Sequence, residues 1–294
     1  MLFEVAGCPF VLWNSASGVE LDTHARQTAM GRHTIIPLLA GGLLLALLSI
    51  PLIAVAWRAL EHIDDIDERS QTTITDALTL SAVTSLASLA IILGLGTPLA
   101  YFIARTHFRG KVLVETVIDL PMILPPAVAG LALLMAFGRR GLLGSWLDDA
   151  GIRIGFTTSA VILAQIFVAS PFYIRSARAA FSRIEAGVEE AAADLGAGPL
   201  TVLRTVTAPL AAPGLAAGAV LAWARAVGEF GATIMFAGNL PRETQTLPLA
   251  IYGRYEAGDL NSALVMALLL LITSFLVLAS VRSIGGRLRL SAAD

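Results

Sequence analysis

The chain has 294 residues, of which 56% are hydrophobic and only 14% are charged, and its mean hydropathy is +0.77. Soluble domains average about 45–50% apolar and about 25% charged residues, so the composition indicates a membrane protein and excludes a disordered chain. The net charge of −2, without a basic run, argues against nucleic-acid binding. The single cysteine, Cys8, excludes a disulfide framework, and four histidines without HExxH spacing predict no metal site.

The first 33 residues do not resemble a signal peptide. Their apolar part is short, carries Glu4, and lacks both a basic start and a small-residue cleavage site. We therefore expect residues 1–33 to be a poorly ordered N-terminal extension, with Met30 as a natural start just before the first apolar span. A transmembrane domain is expected over residues 34–284, and residues 285–294 are expected to form a short cytoplasmic tail.

Six apolar stretches reach the length of about 20 residues that a helix needs to cross about 30 Å of hydrocarbon. They cover, approximately, residues 35–57, 74–104, 117–137, 158–174, 213–236 and 262–284. Backbone groups in hydrocarbon must be satisfied within their own segment, and the alternation typical of barrel strands is absent. The sequence therefore predicts an all-α membrane protein with about six transmembrane helices.

Helix breakers lie inside two of these spans. They are Gly94, Gly96 and Pro98 in the second span and Pro121, Pro125 and Pro126 in the third. A proline inside a helix removes a hydrogen bond and clashes with the preceding turn. The result is either a packing kink or an irregular wall beside a water-filled path. The adjacent Pro125 and Pro126 favour the irregular wall, so both are candidates for a translocation path.

The basic residues of the loops divide unequally between the two sides of the membrane. Most fall on the side that carries both termini, and the acidic loop at residues 61–68 falls on the other side. Under the positive-inside rule, this distribution predicts a multi-pass protein of the inner or plasma membrane with both termini in the cytoplasm.

The segment between the fourth and fifth spans, about residues 175–212, is predicted to be cytoplasmic and structured. Residues 189–195 are strong helix formers, and Gly196 follows them where a C-cap with positive φ is expected. Pro199 fits the first turn of a second, amphipathic helix, which Pro209 is expected to end. Such a segment is either an interfacial helix on lipid or a docking element for a cytoplasmic partner.

The same segment contains, in order, Glu190-Ala191-Ala192, then Gly196, then Val206-Thr207-Ala208-Pro209. This spacing resembles the EAA motif of ABC-importer permeases, although the family has Ile and Leu near the proline where this chain has Val206 and Ala208. The resemblance implies the type I importer permease (MetI-like) fold. It also implies that the loop forms a coupling helix seated in a groove of an ATP-binding subunit, contacted through Glu190, Ala191, Ala192, Gly196 and Pro209.

The chain carries no nucleotide-binding motif of its own. A P-loop needs GxxxxGK[ST], and the only lysine, Lys111, is followed by Val112. We therefore expect a transport subunit that is not an enzyme and binds no cofactor, with ATP used by a partner subunit.

Arg225 and Glu229 lie in the predicted fifth span, four residues apart, so their side chains can pair on one face. A rise of roughly 18 Å from Pro213 places Arg225 near the middle of the membrane. The two residues form either a self-neutralised structural pair or a site where Arg225 attracts an anion that Glu229 holds or releases. Gly214 and Gly218 form a GxxxG pair that fits packing against another helix, of this chain or of a second copy.

Four stretches are similar to molybdate permeases: residues 124–130, 138–144, 224–239 and 243–252. Sulfate permeases share the Arg-Ala-x-Gly-Glu-Phe/Tyr-Gly core but usually diverge after it, so the following Thr-Gln-Thr-Leu-Pro-Leu favours molybdate. The resemblance covers roughly residues 73–284. It implies a homodimeric permease that imports molybdate or tungstate by alternating access, with two ATP-binding subunits and an extracytoplasmic oxyanion-binding protein.

Other classes fit the sequence less well. A sulfate or thiosulfate ABC permease is the nearest alternative. An ATP-independent secondary transporter would show inverted repeats or several intramembrane charges, whereas the spans show one charged pair. A membrane-embedded enzyme would need convergent catalytic groups, and Asp76 and Asp119 near span ends have no histidine nearby in the sequence.

Overall fold

A computed structural model of the chain describes the backbone of residues 20–290 and the side chains of residues 37–279 except 65, 69 and 278. Every regular element in this part is helical. The α-helices are α1 Glu20–Glu61, α2 Glu68–Arg105, α3 Lys111–Ile123, α4 Pro126–Phe137, α5 Gly144–Asp149, α6 Thr158–Ser182, α7 Ala186–Asp194, α8 Pro199–Val202, α9 Ala208–Val227, α10 Gly231–Phe236, α11 Leu247–Glu256 and α12 Leu260–Leu290. A 3₁₀ turn at Ile63–Asp65 and a π-helical segment at Leu203–Thr207 complete the set.

The chain divides into two units, residues 1–54 and residues 55–294. The first unit contains most of α1, whose side chains over residues 37–54 are exposed and mostly apolar. Helix α1 begins at Glu20, inside the predicted extension. The poor order predicted for residues 1–19 concerns residues outside the described part of the chain. The tail predicted for residues 285–294 is described only as the backbone of α12, up to Leu290.

Five helices of the described part are long and apolar enough to cross a membrane, and a bent helix pair raises the number to six. The single helices are Pro37–Glu61, Ser70–Arg105, Thr158–Ser182, Pro199–Val227 and Leu260–Val277. The bent pair is α3 with α4. The prediction of about six spans is confirmed, but three of the predicted spans differ in detail.

The predicted third span consists of two helices, and the chain bends by 119° at the break between them. Leu124 and Pro125 both precede a proline, and both have extended backbones, with ψ values of 134° and 135°. The ring of a proline disfavours the helical conformation of the residue before it, so two such residues in succession turn the chain. The irregular geometry expected of Pro125 and Pro126 is therefore present as a break between α3 and α4.

The predicted fourth span ends too early. Helix α6 continues past residue 174 to Ser182 and contains Arg175 and Arg178. Both arginines pair with acids of α3: Arg178 Nη1 lies 2.5 Å from Glu115, and Arg175 Nε lies 3.8 Å from Asp119. The helix therefore continues beyond the apolar stretch on which the prediction was based, and its two arginines face acids of α3 there.

The predicted fifth span is wrong at both ends. One helical run extends over residues 199–227, so the helix neither ends at Pro209 nor begins at Pro213, and residues 228–230 separate it from α10. The π segment allows the passage through Pro209: Ala208 N donates to Leu203 O, one residue farther back than in an α-helix. Such a shift of the hydrogen-bond register accommodates residues that an α-helical ladder would exclude.

Helix α6 forms the centre of the second unit, where it packs against α2 and α9. Small residues allow this close packing. A Cβ atom built on Gly218 would lie 2.7 Å from Ser176 Cβ, and one built on Gly214 would lie 2.5 Å from Ala180 Cβ. The GxxxG pair of α9 therefore packs against α6 of the same chain.

We expect Gly130→Ala to lower the thermal midpoint of the purified protein. A Cβ at Gly130 of α4 would lie 2.6 Å from Ala232 O of α10, so the two backbones must separate. Overpacking of this kind costs about 1–3 kcal/mol. Gly94→Ala is the control, because no atom lies within 4 Å of its added Cβ and alanine favours helix. Equal midpoints for the two variants would contradict this account of the α4–α10 contact.

Candidate functional site

The segment that follows α6 folds as predicted around Gly196. Its φ is +89°, its N–H donates to Ala193 O at 2.9 Å, and the next N–H, of Ala197, donates to Ala192 O at 3.1 Å. These two bonds form a Schellman motif, which satisfies the last carbonyl groups of a helix and favours glycine at the left-handed position. Pro199 then occupies the first turn of α8, so the predicted first helix, turn and start of the second helix are confirmed, although the second helix does not end at Pro209.

Helix α7 presents an open surface beside this turn. It has no buried residue; Glu190 and Ala191 are exposed and Ala192 is half-buried. Leu195, just after the helix, is 91% exposed. The sequence-predicted contact residues before Gly196 therefore lie on a surface that another protein can reach.

A polar contact that the sequence did not predict ties α7 to two other elements. Glu189 Oε1 lies 2.7 Å from Arg105 Nη2 at the end of α2 and accepts a 2.6 Å hydrogen bond from Thr207 Oγ1 of the π segment. Arg105 Nη1 also donates to Ile184 O at 3.1 Å. In the sequence, Glu189 was one of several helix formers, and Arg105 lies 84 positions away, so no local pattern joined them.

Arg225 and Glu229 form the predicted pair, with Nη2 of the arginine 2.6 Å from Oε2 of the carboxylate. Their location differs from the prediction, because Arg225 lies in the last turn of α9 and Glu229 lies after it, where the chain turns. The other oxygen, Oε1, accepts a 2.8 Å hydrogen bond from Ala232 N and so caps α10. Glu229 is 1% exposed and the Arg225 side chain is 29% exposed, so the carboxylate is enclosed while the guanidinium remains reachable.

The two breaks in the helices lie side by side. A Cβ built on Gly231, at the start of α10, would lie 2.4 Å from Pro126 Cβ at the start of α4. Pro125 is the residue before this helix start, and Glu229 is two residues before Gly231. The fold thus brings together the proline pair and the ion pair, which the sequence had given as separate candidates more than 95 positions apart.

Helix α11 closes one side of this region. The ring of Phe230, next to Glu229, lies 5.1 Å from the ring of Tyr252. The Tyr252 hydroxyl donates a hydrogen bond to Glu256, and this bond, with the nearby negative charge, raises the pKa of the hydroxyl. Tyr252 therefore contacts Phe230 through its ring and Glu256 through its hydroxyl.

Buried hydroxyl and amide groups join α2 to α6 and α9. Ser88 Oγ lies 2.9 Å from Gln165 Oε1, and Trp223 Nε1 donates to Ser85 Oγ at 3.1 Å. Nearby, a cavity of about 360 Å³ lies between α2, α9, α11 and α12. Its polar lining consists of Thr79, Ser81, Ser85, Trp223 and Thr273. Within the residues that the structure describes, no group of histidine, cysteine and acidic side chains is placed to hold a metal ion.

Comparison with known proteins gives one family and several relatives. The sequence profile described as "Binding-protein-dependent transport system inner membrane component" matches residues 96–290. The molybdenum transport system permease protein ModB of Mycobacterium tuberculosis is 42% identical over 262 residues, which is 86% of this chain and 94% of that protein. The probable sulfate transport system permease protein cysT of Nephroselmis olivacea is 35% identical over 205 residues, which is 70% of this chain and 72% of that protein.

A solved structure shows the same fold. The crystal structure is of a bacterial ABC transporter involved in the import of the acidic polysaccharide alginate. It has a TM-score of 0.69 at 15% identity, covering 91% of this chain and 98% of the matched chain. The predicted all-α importer-permease fold is confirmed by this likeness and by the helices described above.

We expect Glu229→Ala to destabilise the protein more than Glu229→Gln. Alanine removes both the cap of α10 and the partner of Arg225, whereas the glutamine amide oxygen can still accept from Ala232 N. A side-chain helix cap contributes about 1 kcal/mol. The measurement is the thermal midpoint of each purified variant in detergent. Identical midpoints would show that Glu229 does not stabilise α10 through this hydrogen bond.

Proposed function

We propose, from the premise that the chain belongs to the family of binding-protein-dependent transport system inner membrane components, that it carries molybdate or tungstate into the cytoplasm as the permease of an ATP-driven importer. The main support is the similarity to molybdenum transport permeases over most of the chain, together with the exposed α7 surface. As a member of this family the chain is a transport subunit rather than an enzyme. ATPase activity belongs to a partner subunit.

The proposed contact with the ATP-binding subunit is the α7–α8 turn. The proposed contact residues are those of the EAA motif: Glu190, Ala191 and Ala192 of α7, Gly196 of the turn, and Pro209 at the start of α9. The open side of α7 and the exposed Leu195 give this segment a mixed polar and apolar surface suited to a groove in another protein. The proposed assembly is the one that the family resemblance implies, a homodimer of the permease with two ATP-binding subunits, so that each subunit receives one such segment.

The proposed translocation path passes the paired breaks in the helices. Arg225 supplies positive potential for a divalent oxyanion, and its partial exposure leaves the guanidinium reachable from a path. The buried carboxylate of Glu229 pairs with the Arg225 guanidinium while no anion is bound. An oxyanion in the path competes with this carboxylate for the guanidinium. Pro125 and Pro126 break the chain between α3 and α4, and non-helical backbone at membrane depth is tolerated only inside protein or beside a water-filled cavity.

The proposed cycle is alternating access. ATP binding closes the motor subunits and draws the two coupling segments together, which opens the path outward, and hydrolysis resets it inward. An extracytoplasmic binding protein delivers the oxyanion, and both termini of the permease lie in the cytoplasm, as the distribution of basic residues indicates. The sulfate permease relative makes sulfate or thiosulfate the second candidate substrate, because all these oxyanions carry the same charge.

We expect molybdenum accumulation at low external molybdate to depend on this chain. The test is uptake of labelled molybdate by a strain lacking the gene, with and without the restored wild-type chain. Unlabelled tungstate should compete strongly and sulfate weakly. A strain given the Arg225→Gln variant should take up less molybdate than one given the wild-type chain, because the neutral amide cannot attract the anion.

If the restored wild-type chain did not increase molybdate uptake, the proposal that the chain imports molybdate would be contradicted. Equal competition by sulfate and molybdate would favour the sulfate alternative. Normal uptake by Arg225→Gln with a lowered thermal midpoint would reduce Arg225 to a structural partner of Glu229.

We expect Gly196→Val to uncouple ATP hydrolysis from uptake. A β-branched residue is strained at a φ of +89°, at a cost of about 1–3 kcal/mol, so the turn after α7 must change its shape. Gly198→Val is a matched control, because Gly198 lies two residues away with an ordinary φ of −68° and has open space for a side chain. The measurement is molybdate uptake per ATP hydrolysed in the reconstituted complex. The same ratio for both variants would count against the proposed docking role of this turn.

A further inference from the structure

A single carboxylate oxygen connects three elements on the proposed cytoplasmic side. Glu189 Oε1, in the first turn of α7, contacts Arg105 Nη2 at the end of α2 and accepts from Thr207 Oγ1 just before α9. The second terminal nitrogen of Arg105 holds Ile184 O, in the turn between α6 and α7. We call this set of contacts among Arg105, Glu189 and Thr207 the Glu189 linkage.

The Glu189 linkage is largely shielded from water. The side chains of Arg105 and Glu189 are 20% and 17% exposed, and Thr207 is fully buried. Charge-assisted hydrogen bonds in such surroundings are stronger than those of exposed ion pairs. The planar guanidinium donates in two directions from a fixed fork, which a lysine ammonium on its flexible stem cannot reproduce. The geometry therefore fixes the position of α7 against the end of α2.

Helix α7 has few other attachments. None of its residues is buried, and its main packing partners are α8 and the π segment. Glu189 is the one residue of α7, a helix described in full, whose side chain forms a hydrogen bond or ion pair with another element. Among the described side chains, Arg105 gives α2 its only polar contact with α7, so this ion pair connects a displacement of α7 directly to α2.

We propose that Glu189, Arg105 and Thr207 are positioning residues that transmit movement of α7 to the membrane-spanning helices α2 and α9. This inference rests on the proposed function, since it requires a motor subunit that moves α7. Without the linkage, the turns at residues 183–185 and 195–198 would absorb the movement, and ATP would be hydrolysed with little transport. Glu189 is adjacent to the EAA motif in sequence. Its side chain, however, contacts Arg105 and Thr207 of the permease and is not one of the proposed contacts with the ATP-binding subunit.

The test compares molybdate transported per ATP hydrolysed by the full complex in proteoliposomes supplied with binding protein. Glu189→Gln and Arg105→Gln should lower this ratio roughly fivefold or more, the lower end of typical coupling between sites. The ratio for Arg105→Lys should lie between the ratios of these variants and of the wild type, because a single ammonium group replaces a guanidinium that donates in two directions. Thr207→Val should lower the ratio, and Thr207→Ser, which keeps the hydroxyl, should restore it.

Glu115→Gln is the matched control. It removes an equally short ion pair, with Arg178, that does not touch α7, so a purely structural loss should lower its thermal midpoint and leave the transport ratio unchanged. Linkage variants that keep the wild-type ratio would overturn the inference. A ratio that falls equally in Glu115→Gln would overturn it as well, because general destabilisation would then be the cause.

Hydrogen exchange of the α7 amides in the same complex separates this inference from the proposed function. Exchange should be faster in Glu189→Gln and Arg105→Gln than in the wild type and in Glu115→Gln. A wild-type complex that hydrolyses ATP without moving molybdate would disprove the proposed substrate, whereas unchanged α7 exchange in the variants would disprove the linkage.

Discussion

The need to satisfy every backbone hydrogen bond in an apolar environment governs where this chain changes direction. A membrane-spanning helix satisfies its own groups, so a break requires residues that replace the lost bonds. At Pro125 and Pro126 the prolines have no N–H to leave unpaired. After α9 the Glu229 carboxylate accepts from Ala232 N. The Gly196 turn after α7 is exposed, and it pairs the last carbonyl groups of that helix outside the apolar environment. Each interruption of a helix is therefore accompanied by a local solution to the same problem.

These interruptions coincide with the residues to which a function is assigned. The α3–α4 and α9–α10 breaks lie against each other through Pro126 and Gly231, and the ion pair of Arg225 and Glu229 lies beside them. The third interruption, at Gly196, forms the exposed turn of the proposed coupling segment. The long helices α2, α6 and α9 connect these places. A transporter needs both flexible breaks and continuous helices. Movement at a few breaks can then be transmitted along the helices between distant sites.

Local patterns were sufficient for much of this architecture. Apolar length predicted the number of spans, the spacing of Arg225 and Glu229 predicted their pairing, and helix formers followed by Gly196 predicted a capped turn. The errors have identifiable causes. The end of α6 was missed because apolar length ends before Arg175 and Arg178, whereas the helix continues and pairs both with acids of α3, about 60 positions earlier. The continuous run through Pro209 was missed because a π segment changes the hydrogen-bond register, and no residue pattern marked it.

The sequence by itself determined the class of protein, the approximate number of spans, the lack of a P-loop motif and the resemblance of residues 190–209 to a coupling motif. Composition, apolar length and close spacing are properties of neighbouring residues. Only the tertiary structure decided that the proline pair meets the break beside Glu229. It alone also joined Arg105 and Thr207 on one oxygen of Glu189 and placed Gly214 and Gly218 against α6. These contacts join residues from 18 to 105 positions apart, and their formation depends on how the helices pack, which no local pattern records.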